Sequence, residues 1–362
     1  AIVLGSQRWP QAGDPPYPAR TIRQSLPTEK AMPVARPLLL ALVLVTSSLS
    51  AQAKARASAG GFRLFDRVQN QPGYVLTRTN RVDCGITPFS YGGIGGDIYF
   101  DCYWPLGTPN GYVFGGGLRV AGIIGPELAA WAGDTAGAFF FDSKGTTEHG
   151  TLVQGLWYSS VPADASRWPE IARVPTIGGE VYRPELRGRN SVSDGDIWYL
   201  ITETDVNQLA GRAHPLGLAV ETRYLQFNRP RGNEDILYAV NTLYNISATN
   251  PAAYSGVRPE LRPTLLALAE RYHRDVLTKF GVTLPADGYT IQRYFTDIIT
   301  DADVGSAGGN VASVDLPLSV GFTWDPRFAA TLPGWRYDPT DHGPPFFAGS
   351  GFYGTKVLQA PA

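Results

Sequence analysis

Two long alternating runs separated by one short turn constrain this chain more than any other feature. Residues 216–227 read Leu-Gly-Leu-Ala-Val-Glu-Thr-Arg-Tyr-Leu-Gln-Phe, with Val220, Thr222, Tyr224 and Gln226 opposed to Glu221, Arg223, Leu225 and Phe227. That period of two belongs to a β-strand. A second strand-like run, 234–246, follows the turn sequence Pro230-Arg-Gly-Asn233. Consecutive strands joined so closely pair antiparallel. The same signal recurs at 97–104, 112–114, 118–124, 136–141, 197–203, 289–295 and 313–324, and 41 glycines and 29 prolines punctuate the chain. Residues 263–280 break the pattern. Leu265, Leu268, Tyr272, Val276 and Phe280 share one helical face, Pro263 suits a first turn, and Gly281 suits the end. The expected fold class is all-β, mostly antiparallel and sandwich-like, with one inserted α-helix near 263–280.

The sequence also divides along its length. Met32 is the one methionine. It opens a short basic start, an apolar run at 38–45 and a small-residue cleavage site, Ala51-Gln-Ala53. The expected organisation is an upstream leader at 1–31, a signal peptide at 32–53, a flexible tether at 54–73 and a β-rich domain at 74–362. A sub-boundary is expected within the proline-containing stretch 161–193. A membrane-spanning helix needs about 20 apolar residues, so the mature chain is expected to carry no span. The expected location is exported: periplasm, outer surface or extracellular space.

A formal charge of −1 argues against an electrostatic nucleic-acid surface. Cys84 and Cys102 are the only cysteines, and an oxidising compartment makes them an expected disulfide. The glycines of 92–96 and 115–117 lack the lysine and helix that a phosphate loop needs, and read as turn or bulge residues. The candidate metal site is Asp301-Ala-Asp303-Val-Gly305 with Asp297, Asn310 and Asp315, an oxygen-rich set suited to calcium. Ordinary solvated loop chemistry is the plain alternative. Ser193-Asp-Gly-Asp196 is a weaker version. Tyr182, Trp198 and Tyr199 are candidate glycan-stacking residues, with core packing as their alternative. Around them Glu180, Glu185, Asp194, Asp196, Glu203 and Asp205 offer the carboxylate pairs a glycosidase requires. His149, His214, His273 and His342 sit in contexts that read as structural or exposed. No Gly-x-Ser-x-Gly elbow is present and no catalytic residue is assigned.

Several stretches together carry a family likeness: 104–122, 214–227, 303–310, 343–347 and 351–357. Over roughly residues 80–358 the chain resembles large uncharacterised exported or surface β-rich proteins of environmental bacteria. The resemblance implies further β-domains, often fibronectin-like, and a C-terminal secretion sorting domain in such proteins; it brings no catalytic residues. The expected role is a cell-surface or secreted non-catalytic β module that binds glycan, protein or matrix, with calcium as a candidate stabiliser. The alternatives are a secreted polysaccharide-acting hydrolase and a structural surface-assembly subunit.

Overall fold

The computed structural model describes residues 2–4, most of 75–302, 311–324, 353–356 and 358. Within 75–302, residues 89–90, 93–101, 108–110, 114, 140–149, 175–185, 187 and 210–211 lie outside the description. The strands are β1 (Ile2–Leu4), β2 (Val75–Leu76), β3 (Gly85–Ile86), β4 (Tyr91–Gly92), β5 (Cys102–Tyr103), β6 (Gly111–Val113), β7 (Gly115–Ile124) and β8 (Thr135–Phe139). They continue with β9 (Thr151–Tyr158), β10 (Gly195–Thr202), β11 (Leu218–Gln226), β12 (Ile236–Asn245), β13 (Ile291–Asp301), β14 (Val311–Asp315), β15 (Val320–Trp324) and β16 (Tyr353–Lys356). The described helices are the short α1 (Pro162–Ala165) and the long α2 (Arg262–Phe280).

The fold is mostly antiparallel β, as the alternation requires. One sheet runs in the order β14-β15-β16-β1-β12-β11-β10-β9. A second runs β13-β7-β4-β3-β2, with β8 also on β7, and β5–β6 form a separate ribbon. β11 and β12 pair over their whole length, from Leu218 opposite Asn245 to Gln226 opposite Leu237. Side chains directly opposite one another share a face, so this register sorts the central strands into two faces. Ile197, Tyr199, Ile201, Val220 and Tyr224 form one core with Ile86, Val120, Ile124 and Ala136 of the second sheet and Val113 of the β5–β6 ribbon. On the other face Trp198, Leu200 and Ala219 pack with Leu261, Leu265 and Ala269, together with Trp168, Ala172 and Tyr254. Every residue of β10 and β11 is therefore buried.

Helix α2 makes that second core possible. Its buried stripe is Leu265, Ala269, Tyr272 and Val276. Leu265 and Ala269 join the outer core, whereas Tyr272 and Val276 join the core between the sheets. Gly281 ends the helix in the left-handed region, φ 65°, and its N–H donates to Leu277 O. Burying a side chain such as Leu265 contributes about 1.5–3 kcal/mol.

Three elements differ from the sequence-based expectation. The strand expected at 289–295 runs on as β13 through Asp301, paired with β7 up to Asp301 opposite Gly115. The glycines of 115–117 accordingly lie inside a strand and not in a turn. β1 sits between β12 and β16, with Ile2 opposite Leu237 and Thr355. It comes from the stretch read as leader, so the backbone of residues 2–4 belongs to a sheet that a reading of 1–31 outside the fold does not provide for. The apolar, β-branched Ile2-Val3 pair suits strand pairing. The signal peptide and tether stretches, 32–53 and 54–73, lie outside the described residues. No described helix is long and apolar enough to cross a membrane.

The two sheets are tied by polar contacts at one end. Gln226 Nε2 donates to Asn80 Oδ1 (2.6 Å) and Val82 O (3.0 Å), and its Oε1 accepts from Thr79 N and the Tyr158 hydroxyl, both at 3.2 Å. Trp104 Nε1 donates to Asp235 Oδ1 at 2.7 Å, with Arg81 paired to the same carboxylate at 3.0 Å. Beside this junction Cys84 and Cys102 form the disulfide. Asp83 and Tyr103 flank it, exchanging both backbone hydrogen bonds at 3.0 and 2.7 Å.

Candidate functional site

Buried ionisable groups gather on and beside β10 and β11, where the candidate acids were expected. On the outer face, Glu221 accepts from Trp198 Nε1 (2.7 Å), the Tyr244 hydroxyl (2.9 Å) and both terminal nitrogens of Arg258 (2.7 and 2.6 Å). Burial pushes the Glu221 carboxyl up, but the bonded Arg258 guanidinium, the Trp198 N–H and the Arg223 charge outweigh it and hold it below the usual carboxylate range. Further along the same ladder, Asp196 accepts from Arg223 (2.7 Å), the backbone of Val192 and Ser193 (both 2.9 Å) and the Ser193 hydroxyl (2.6 Å). Arg223 also donates to Ala172 O.

The third carboxylate, Glu203, follows β10 and has a fully buried side chain. It accepts from three successive backbone N–H groups, Leu216 (3.1 Å), Gly217 and Leu218 (2.9 Å), and from Arg212 at 3.0 Å. Arg212 also donates to Gly137 O on β8. The carboxylate thus organises the 203–217 loop as it enters β11. Gly217 (φ 86°) sits under two tyrosines, and a Cβ there would come within 2.6 Å of Tyr289 Oη. Tyr272 and Tyr289 share a hydroxyl–hydroxyl bond of 2.8 Å, and Tyr289 donates on to Leu216 O at 3.2 Å. Burial raises both phenols above the ordinary tyrosine range, with the Glu203 charge adding to it. Next to this loop, His214 stacks on Trp131 with ring centroids 4.1 Å apart and planes 4° apart.

Of the expected glycan-stacking residues, Trp198 is 0% exposed and Tyr199 4%. Burial pushes the Tyr199 phenol up to about 12. Both rings are core, and neither presents a face to a sugar, because α2 covers one side of the sheet and the second sheet the other. Tyr182, Glu180 and Glu185 lie outside the described residues. The remaining acids of that set serve turns: Asp194 accepts from Asn228 N and Asp205 from Asn207 N.

The expected calcium loop is in part a strand. Asp297 and Asp301 lie on β13, and Asp297 is paired with Arg119, its partner across the ladder on β7. The short turn imagined around these acids is replaced by ladder pairing, which points them along a sheet face. Asp315 ends β14 and accepts from Leu318 N at 3.1 Å, while Asp303 and Asn310 lie outside the described residues. Among the described residues no group of three or more His, Cys, Asp or Glu side chains could hold a metal ion.

Two of the histidines, expected to be structural or exposed, take structural settings. His273 bonds Ser247 O through Nε2 at 2.7 Å, and His214 is 2% exposed. His149 and His342 lie outside the described residues. No protein-family model, curated protein or solved structure matches the chain.

Proposed function

We propose that the chain is an exported, non-catalytic β module of a cell-surface or secreted protein, with glycan, protein or matrix as its partner. The observation that carries this reading is the state of the acids around Trp198. Asp196, Glu203 and Glu221 are each occupied by an arginine and further donors. A glycosidase needs one carboxyl free to give a proton and another free to attack or activate water. Carboxylates consumed as structural acceptors speak for a scaffold. The Cys84–Cys102 disulfide supports the exported compartment, where such bonds persist.

A glycan-array and hydrolysis screen on the full chain tests the reading. Retention of one glycan or matrix class without bond cleavage is the expected result. Release of new reducing ends would establish the hydrolase instead. Calcium remains a candidate stabiliser, and an unchanged melting temperature in chelator would remove it.

One observation favours the assembly alternative as a second reading. β14 pairs with β15 alone among the described strands, and its Val311 and Val314 are exposed. An edge of this kind, without lysine, proline or bulge, is a template for another strand. Concentration-dependent mass in light scattering would favour assembly over a monomeric binding module.

A further inference from the structure

A strand at the end of a sheet presents a row of unpaired backbone N–H and C=O groups, and folded proteins blunt such rows. Most terminal strands of this chain are blunted. The pairing of β9 with β10 slips at Trp198/Tyr199 and again at Leu200/Ile201, and Asp164 Oδ2 takes the Tyr158 N–H at 3.0 Å. β13 slips against β7 between Gln292 and Phe295, where Arg293 adopts a φ of 46°. On β8, Arg212 donates to Gly137 O. At the far end of the same sheet, β2 has two residues.

Among the described terminal strands, β14 lacks any such device. It pairs with β15 without a slip, from Val311 opposite Trp324 to Asp315 opposite Val320. Its sequence is Val-Ala-Ser-Val-Asp, and its first four residues are exposed. Val314 is 58% exposed, and Leu316 in the turn that follows is 77% exposed. An apolar border along a regular sheet edge marks an interaction surface.

The sequence of β14 suits a second copy of itself. A two-fold axis perpendicular to the sheet at Ser313 sets two β14 strands antiparallel. Val311 then faces the partner's Asp315, Ala312 faces the partner's Val314, and the two Ser313 residues meet. Ala312 and Val314 share one face of the strand, so both copies bring their apolar side chains together there. Asp315 is the one charge in the strand. Its two copies stand at opposite ends of the pairing, about 14 Å apart at 3.4 Å per residue, beyond the screening length of about 8 Å. No like charges oppose one another, and a net charge of −1 adds little repulsion between whole chains.

We propose that β14 is a homodimer edge: two copies of the chain pair antiparallel about Ser313, and their eight-stranded sheets run on as one. This rests on the assembly reading of the same edge and adds the partner and the register. Five residues a side are far fewer than the roughly 20–30 of a standard interface, so the dimer is weak and concentration-dependent.

Sedimentation equilibrium of the full chain, from low-micromolar to near-millimolar concentration, tests the proposal together with Val314→Lys and Val314→Glu. In the paired register the two copies of residue 314 are diagonal neighbours on one face, about 7–8 Å apart. Wild type is expected to rise from one chain to two. Each variant alone is expected to dissociate about tenfold more readily, and an equal mixture of the two is expected to recover the dimer. A wild type that stays monomeric throughout overturns the assembly reading and the proposal together. A wild-type dimer that both variants preserve overturns the β14 register alone, and mass climbing past two chains overturns the two-fold arrangement. Deuterium uptake by the wild-type amides of Val311–Asp315 gives a readout that needs no variant. It should slow as concentration rises, and uptake independent of concentration overturns the proposal.

Discussion

Asp83 stands beside the disulfide with Oδ1 buried and unbonded, and its other oxygen 3.7 Å from Arg78 Nε. Burial pushes its carboxyl up to about 6, and the Arg78 charge only partly opposes this. A raised acid keeps its proton longer in the folded chain than in the unfolded one, so its ionisation costs stability as pH rises from about 4 to about 6, and the loss persists above. Asp83→Asn removes that cost. The variant is expected to be more stable than wild type by on the order of 2–3 kcal/mol at pH 7.5, with the difference shrinking toward pH 4. Urea unfolding at the two pH values measures it. At this scale the sequence was least legible. The alternation placed Glu221 and Arg223 on one face, but it did not say that both would be buried there. Their partners, Arg258 and Asp196, stand 37 and 27 residues away, and no local pattern announces a pairing over such a distance.

Secondary-structure elements were more legible, because their signals are local. The helix expected at 263–280 is Arg262–Phe280; Leu265, Tyr272 and Val276 of the expected stripe are buried, with Ala269 beside them and Leu268 and Phe280 only partly covered. The central runs became β10, β11 and β12 with small changes at their ends. The acid-bearing stretch after 295 was misread because isolated aspartates weigh toward loops, whereas Thr296, Ile298, Ile299 and Thr300 around them favour a strand. The junction of loop and strand at Gly217 carries the prediction that belongs here. A methyl group at this position strains a positive φ and drives into Tyr289 Oη. Gly217→Ala is expected to destabilise the fold by about 2–4 kcal/mol, a loss visible as a lower thermal midpoint. It also displaces the tyrosine pair, so the near-ultraviolet circular dichroism of the folded variant should change. An unaltered midpoint would show that the loop relaxes freely at this point.

For the molecule as a whole, the sequence indicated antiparallel sheets but not the third layer. Whether a helix covers a sheet face or caps its edge depends on which apolar stripe meets which strand, and periodicity is silent on that. The covalent link has its effect at this scale too. Cys84 and Cys102 are 18 residues apart, and reducing them is expected to cost about 3 kcal/mol through the greater freedom of the unfolded chain. Thermal unfolding with and without reductant measures this. Equal midpoints would mean that the β2–β3 and β5–β6 region contributes little to the cooperative unit. The strand contributed by residues 2–4 is testable in the same assay, by comparing the full chain with one that starts at Lys54.

The double-sided burial of β10 and β11 has a further consequence for how this protein opens. A strand with one wet face exposes its amides by small local excursions, but these strands are enclosed by α2 on one side and by the second sheet on the other. Solvent reaches their ladder only when both layers separate. Deuterium uptake by the amides of Gly195–Thr202 and Leu218–Gln226 should therefore be the slowest in the chain, and its rate should track the free energy of complete unfolding. Those amides are a built-in gauge: a variant that loosens only one layer leaves them slow, and one that dissolves the whole assembly does not.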